Sequence, residues 1–586
     1  MDFTPKDVHP RPDFVRADWL SLDGEWDFAF DDGRIGLSAG WMRGDPFDRK
    51  ITVPFCHQCA MSGIEDKSFH PAMWYRRAFE LPDTMKNRRV LLRFGAVDYA
   101  CRVFVNGIEA GAHIGGYTPF ALDITHLLID GANDLRVYAE DGRSCEQPRG
   151  KQSWLDEGFE CWYTPVSGIW QTVYLEATGE HYIQSAHVTP DVDAGTAALE
   201  LTLHEAPDEP VEARCTLSLS GRTIRRQSLL VTEKNQRVVF DMVEGNLRSD
   251  FAHWSPDHPA LYDLTIELVG HDAVETYFGM RKVEVKGGLV LLNNRPIYQR
   301  LILDQGYWPG SLLTPPSGEA LRADIEWAMR FGYNGARKQQ KIEDPRYYYW
   351  ADKLGFLVWG ELPSFYAFSS AAVEAMSQTL AGFIERDYNH PSLIVWTTLN
   401  ESWGVHRTYA DKRMQGFARM LYWQAKALDG TRPVSGNDGW EMTETDIYAV
   451  HDYADDGLAL TKRFEGRAPD SIRLFDQRLP LTSDAALGGH EAFLLTEYGG
   501  IAFAGDDGAW GYHDKVSDEE AFYARLADTT RAIYALPACQ GYCYTQLTDV
   551  EQEVNGLLTI DRVPKVDVRR VAAINRGPAG LMKIIE

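Results

Sequence analysis

Basic residues are in short supply. Lysine and arginine total 59 against 85 aspartates and glutamates, a formal net charge of -26. That surplus repels phosphate backbones and anionic lipid, which excludes nucleic acid and membrane surfaces as partners. Long apolar runs are missing too, so no segment reads as a membrane span. The opening stretch, "MDFTPKDVHPRPDFVRADWL", has no basic start followed by an apolar core. No leader is expected from it, and a cytoplasmic protein is. Cysteine is scarce, with eight in 586 residues, scattered at 56, 59, 101, 145, 161, 215, 539 and 543. Such scatter fits reduced packing thiols, not a disulfide framework. Cys56-His57-Gln58-Cys59 has the spacing of half a zinc site, but no second pair accompanies it. Repeats and low-complexity tracts are absent.

Apolar residues make up 44% of the chain, enough for packed cores, and its length implies two to four of them. Trp and Tyr are frequent, at 17 and 27. Core packing accounts for most of them, although flat aromatic faces also suit sugar rings.

Two glutamates carry most of the functional information. Glu401 stands in "IVWTTLNESWG" and Glu497 in "AFLLTEYGG". Each follows a short apolar, β-branched run and precedes a glycine by two or three residues. This is the pattern of a buried parallel strand with a carboxylate at its C-terminal tip. Further runs alternate with helix-like stretches from about residue 286 to the end. They predict a (β/α)8 barrel, where functional side chains gather at the C-terminal strand ends. Strands are expected at 294–306, 333–338, 356–362, 393–401, 433–438, 446–453, 493–500 and 539–549. Two carboxylates on one rim are the equipment of a glycosidase.

Upstream, residues 1–178 read as an all-β domain. Short strands such as "GEWDFAF", "RVLLRFG" and "QTVYLE" alternate with turn residues, and Asn106-Gly107 marks a hairpin. Residues 179–285 hold a second all-β pattern, about the size of an immunoglobulin-like sandwich. Residues 286–586 form the barrel domain. No His/Asp/Glu cluster with metal-ligand spacing shows on the rim, so neither metal nor cofactor is expected.

At this point the sequence resembles glycoside hydrolase family 2. In the first domain the likeness rests on "LDGEWDFAF", "ITVPFCHQ", "WYRRAFELP", "VNGIEAGAHIGGYTPFALDIT" and "SGIWQTVYLEA". At the junction it rests on "YFGMRKVEVKGGLVLLNNRPIYQRLILDQGYWP". In the barrel it rests on "NGARKQQKIEDPRYYYWADKLGFLVWGE", "NHPSLIVWTTLNES", "LTEYGG" and "LTDVEQEVNGLLTIDRVPK". It spans essentially the whole chain, in order.

The resemblance implies roles. Glu401 matches the acid/base and Glu497 the nucleophile of a retaining exo-glycosidase. The acid must keep its proton near neutral pH, so a raised pKa is expected for Glu401. Arg337 matches the arginine that supports the nucleophile, and Asn400 the donor to the sugar 2-hydroxyl. Gln340, Asp304, Trp359, His451, Tyr453, Tyr544 and, from the first domain, Trp162 are the further substrate-binding candidates. Trp162 or the Arg149-Gly150-Lys151-Gln152 loop is expected to wall the site.

Departures from the family pattern bear on the substrate. The Arg-x-x-His step of galactosidases and glucuronidases reads Arg337-Lys338-Gln339-Gln340 here. Trp162 stands where those enzymes place an aspartate. The Asn-x-Lys pair that glucuronidases use on the sugar carboxylate reads Asn555-Gly556-Leu557 here, without its cation. A neutral terminal sugar, β-galactosidase-like, is therefore expected to be preferred over a uronide by about 100-fold. An α-L-arabinofuranoside or β-galactofuranoside is the alternative, and a glucuronide ranks below both. A non-catalytic carbohydrate-binding protein is disfavoured because Glu401, Glu497 and Arg337 are all retained. The expected partner is a glycoside or oligosaccharide. A homo-oligomer is compatible with the sequence.

Overall fold

A computed structural model describes residue 6 and residues 8–577, apart from 246–249, 467–471, 475–477, 483–484, 486–487, 504–509 and 513. The first domain is a β-sandwich. Its six-stranded antiparallel sheet runs in the order 49–53, 24–30, 72–79, 133–140, 100–105, 108–114. The facing sheet has the order 19–21, 173–178, 89–94, 120–123. Alternating residues such as Trp26, Phe28, Leu92 and Val137 close one core between them. A second sandwich follows, pairing strands 183–191, 196–203 and 235–241 against a four-stranded sheet. Leu199, Leu201, Leu217 and Leu264 fill it.

A small meander at 283–286, 289–292 and 295–296 then plugs the floor of the barrel. Val283, Val290 and Leu292 pack against the interior residues Leu301 and Leu303. Residues 295–296, read above as the start of the first barrel strand, belong to this plug.

The barrel strands are β1 (Gln299–Asp304), β2 (Gly335–Lys338), β3 (Leu357–Glu361), β4 (Leu393–Thr397), β5 (Val434–Ser435), β6 (Ile447–His451), β7 (Ala492–Gly499) and β8 (Cys539–Thr545). They form one parallel ladder in the order β5-β4-β3-β2-β1-β8-β7-β6. A bridge from Gly439 to Val450 connects the two ends. Side chains alternate along each strand. Leu301, Leu303, Trp359 and Cys543 point inward, whereas Ile302, Val358, Tyr542 and Tyr544 face the helices. Each α-helix of the described residues opens with a Ser or Asp side chain accepting a backbone N–H, from Ser317 to Asp567. None is long and apolar enough to cross a membrane.

A buried arginine ties the two sandwiches together. Arg16 donates to Glu176 of the first at 2.7 Å and to Asp272 of the second at 3.0 Å, while Arg93 also pairs with Glu176. Removing one member of such a group strands the others in a dry site, at a cost of about 3–5 kcal/mol. Arg16→Met is therefore expected to lower the first thermal transition by several degrees in calorimetry. An unchanged transition would show that this ion group contributes nothing to the domain seam.

Candidate active site

Arg337 is the hub of the barrel mouth. Its side chain, fully buried near the end of β2, hydrogen-bonds to three other strands or strand ends at once. It donates to Glu361 at 2.8 Å, to Glu497 at 2.9 Å, to Asn400 at 2.8 Å and to the Thr496 carbonyl at 3.0 Å. Asp438 lies 3.7 Å away. A planar guanidinium with five donors can satisfy several acceptors in fixed directions, which an ammonium cannot.

Glu497, on β7, takes three donors. Arg337 and Gln339 (2.7 Å) approach Oε1, and the Tyr453 hydroxyl approaches Oε2. These three donors fix the orientation of the carboxyl. Gln339 belongs to a chain of amides. Gln305 donates to Gln339 and Gln546, Gln546 to Asn555, and Asn555 to Glu553, which also accepts from Tyr163.

Glu401 lies four residues past the end of β4. Glu401 and Ser402 adopt left-handed backbone, with φ of 51° and 57°. Side chains other than glycine rarely do so unless the surroundings over-determine it. Here the Glu401 N–H donates to the Asp438 carbonyl at 2.8 Å, and the Ser402 N–H to Asn437 at 3.1 Å. The turn points the carboxyl at His451 Nδ1 (2.8 Å) and Trp403 Nε1 (3.2 Å).

His451 bridges the two glutamates. Beyond Glu401, it contacts Asp438 at 2.7 Å and lies 3.5 Å from Glu497. Burial alone would lower its pKa, but the charges of Glu497, Asp438 and Glu401 outweigh burial and push it up to about 9. The converse holds at Glu401. Burial raises its pKa, yet the His451 contact, with Lys151 and Arg337 behind it, holds the carboxyl below its ordinary value. The raised pKa expected from the sequence is thus absent, and the proton resides on His451. Glu361, buried beside Arg337, is pushed up to about 7 by burial against the pull of that cation.

The first domain closes the mouth. Gly150 N–H and Arg149 N–H donate to the Ser364 carbonyl after β3, and the Tyr366 hydroxyl contacts the Gly150 carbonyl and Gln340. At the other end of the segment, Thr164 N–H donates to Glu551, and Tyr163 to Glu553, after β8. A side chain at Gly150 would strike the Gln340 carbonyl, so the approach depends on glycine. Lys151 lies between these anchors, 5% exposed. The charges of Cys161, Glu553, Glu401 and Glu497 overcome its burial and raise its pKa.

The candidates from the sequence therefore separate. Glu401, Glu497, Asn400, Arg337, His451 and Tyr453 meet in one network. Gln340 borders it with a buried, unpartnered Nε2, and Trp162 packs on Trp403 at 5.0 Å. Three others are placed elsewhere. Trp359 lies a layer lower in the interior, donating to Gln299. Tyr544 faces the helices beside Tyr498, because inward and outward residues alternate along β8. Asp304 pairs with Lys338 at 3.0 Å in a buried group with Glu343 and Lys341. Residues missed from the sequence are Gln339, Glu361, Asp438, Trp403 and Glu553. No local motif marks them, since each is defined by its neighbours in space.

Among the described residues, ligand-type atoms converge at His181–His204–Glu205 and at Glu401–His451–Glu497. The second group was not visible from spacing, because its members come from three strands. With His451 protonated, a metal would have to displace its protons. Cys56 and Cys59 are buried beside one another and belong to neither group.

The fold and site define a multidomain (β/α)8 protein with a two-glutamate centre. The Glycosyl hydrolases family 2 models match in sequence: the sugar binding domain over residues 19–177, the central family domain over 181–281 and the TIM barrel domain over 283–457. The chain belongs to glycosyl hydrolase family 2. It is similar to a β-galactosidase of Thermoanaerobacter pseudethanolicus, 25% identical over 418 residues, covering 67% of this chain and 52% of that one. It is also similar to the β-glucuronidase of Rattus norvegicus, 25% identical over 470 residues, covering 71% of this chain and 67% of that one. The chain spans about half the length of the curated β-galactosidases it matches. Among solved structures, the fold is shared with a β-glucuronidase from Ruminococcus gnavus, with a TM-score of 0.75 and 20% identity, covering 94% of this chain and 97% of that one.

The charge on His451 generates a stability prediction. Its folded pKa, about 9, exceeds its ordinary 6.5. Its contribution is fully present below pH 6.5 and is lost as pH rises through 9, amounting to a few kcal/mol. Urea unfolding is expected to show wild type losing stability over this window more steeply than His451→Gln. Parallel slopes would mean that His451 is neutral in the folded protein.

Proposed function

We propose that this protein is a retaining exo-glycosidase that releases a terminal neutral sugar by double displacement. The observation that carries the reading is the spacing of the two glutamates. An oxygen of Glu401 lies within 4.8 Å of an oxygen of Glu497, with His451 between them. Retaining enzymes hold their carboxyls about 5–5.5 Å apart, whereas inverting ones need about 6.5–9.5 Å to admit a water.

Glu497, aligned by Arg337, Gln339 and Tyr453, attacks the anomeric carbon. The leaving oxygen takes a proton from Glu401, which draws on the proton shared with His451 along their 2.8 Å contact. Glu401 then accepts a proton from the water that releases the sugar. Asn400 Nδ2 has no partner in the structure and is available to the 2-hydroxyl. A cytoplasmic location accords with eight cysteines that form no disulfide.

The neutral-sugar reading rests on charge. Among the described residues, Arg337, His451 and Lys151 are the cations of the pocket, and Glu361, Glu401, Asp438, Glu497 and Glu553 are its carboxyl groups. The carboxyl groups outnumber the cations five to three, although burial raises both Glu361 and Glu553. Leu557, fully buried, supplies no charge after β8. Arabinofuranosides and galactofuranosides remain the alternative within this neutral class.

Two outcomes test the reading. Glu497→Ala is expected to abolish turnover, with azide restoring it to give the opposite anomer. Glu401→Ala is expected to lose about 10²–10⁴ on poor leaving groups and much less on activated phenols, with azide giving the original anomer. Swapped anomers would exchange the two roles. Second, a p-nitrophenyl β-galactoside or α-L-arabinofuranoside is expected to exceed the β-glucuronide by about tenfold or more in kcat/KM. Lys151 reduces the larger margin expected from sequence. Equal or better glucuronide hydrolysis would refute the neutral-sugar assignment.

A further inference from the structure

Five aromatic rings from two domains meet at the mouth beside Glu401. Trp154, Phe159 and Trp162 come from the segment of the first domain that crosses the barrel. Tyr366 follows β3 and Trp403 follows Glu401. Trp154 packs on Tyr366 at 4.6 Å and on Trp162 at 5.3 Å. Phe159 stacks on Trp162 at 4.9 Å, and Trp162 meets Trp403 edge-on at 5.0 Å. Four of the five, Trp154, Phe159, Tyr366 and Trp403, keep part of their surface open. Trp162 is 5% exposed and packs edge-on against Tyr366 at 5.7 Å.

The position of this cluster is asymmetric. Trp403 donates to Glu401, while Glu497 is surrounded by Arg337, Gln339 and Tyr453. In a double displacement the leaving group departs from the face opposite the nucleophile, next to the acid. The rings therefore border the space the leaving group occupies. A cluster needed only to join the domains would be expected to bury its faces, as Trp170 and Tyr117 do elsewhere on the same seam.

We propose that Trp154, Phe159, Tyr366 and Trp403 form a leaving-group subsite for a ring with a flat apolar face. This inference rests on the glycosidase reading above and adds the chemistry of the aglycone. Aryl rings and pyranose rings share that face. Both are held by dispersion and C–H contacts with aromatic surfaces, worth about 0.5–1.5 kcal/mol per ring contact.

The test compares substrates that differ only in the leaving group. From the glycoside that wild type hydrolyses best, the p-nitrophenyl glycoside, a disaccharide with the same terminal sugar, and the glycosyl fluoride are assayed. Trp154→Ala and Phe159→Ala are each expected to lower kcat/KM about 3- to 10-fold on the ring-bearing substrates, a range that follows from the contact energy above. The fluoride, which has no ring, is expected to stay within about twofold, and Trp154→Tyr to recover most of the loss. Loss on the disaccharide assigns a sugar aglycone, and loss on the aryl glycoside alone assigns an aromatic one. Equal losses on ring-bearing substrates and fluoride would make the cluster a packing element and overturn the proposal, as would no loss on either. Melting temperatures of the variants separate misfolding from both. A wild type inert toward the fluoride would instead refute the glycosidase reading.

Discussion

Everything at the barrel mouth is arranged around one buried cation. Arg337 has no contact with water, so its charge is tolerated only because Glu361, Glu497, Asn400 and a carbonyl surround it. A lone guanidinium in that position would cost several kcal/mol, and so would any of its carboxylates without it. The group holds strands β2, β3, β4 and β7 in mutual register at their tips. It also fixes the Glu497 carboxyl beside Glu361, which burial pushes up to about 7. The same cation thus serves the packing of the mouth and the chemistry proposed for it.

A second constraint is the short span of the first domain between Arg149 and Thr164. It is pinned to the loop after β3 at one end and the loop after β8 at the other. Between the pins it delivers Lys151, Trp154 and Trp162 to a site formed otherwise by the barrel. The pocket is therefore a property of two domains. Disruption of their seam is expected to alter the site before it unfolds the barrel, since the barrel's own glutamates are held by Arg337 and His451.

His451 bears on the acid role proposed for Glu401. A carboxyl alone in an apolar pocket holds its proton by desolvation. Here a histidine touching Glu401 and Asp438 takes the proton, and the carboxyl is left ionised before substrate arrives. Burial and pairing oppose one another at the same group, and pairing wins because His451 lies between three carboxylates.

Much was legible without coordinates. Apolar runs tipped by Glu401 and Glu497 marked strand ends, and their alternation with helical stretches implied a barrel, since parallel strands require crossovers. Strand tips on one rim are close whatever their separation in the chain, so the meeting of the two glutamates followed from topology. What sequence could not decide was which face each neighbour takes. Trp359 and Tyr544 sit near strand ends, yet one points down into the core and the other out to the helices. A one-residue difference in phase inverts orientation. Asp304 is at a tip as well, but Lys338 captures it. Lys151, Glu553 and Trp403 acquire meaning from contacts between segments far apart in the chain, as Tyr163 and Glu553 show at a separation of 390 residues. Local pattern dictated the elements and the two glutamates at their tips. The tertiary structure alone decided the partners, because charge and burial at each site depend on atoms that the chain brings together only by folding.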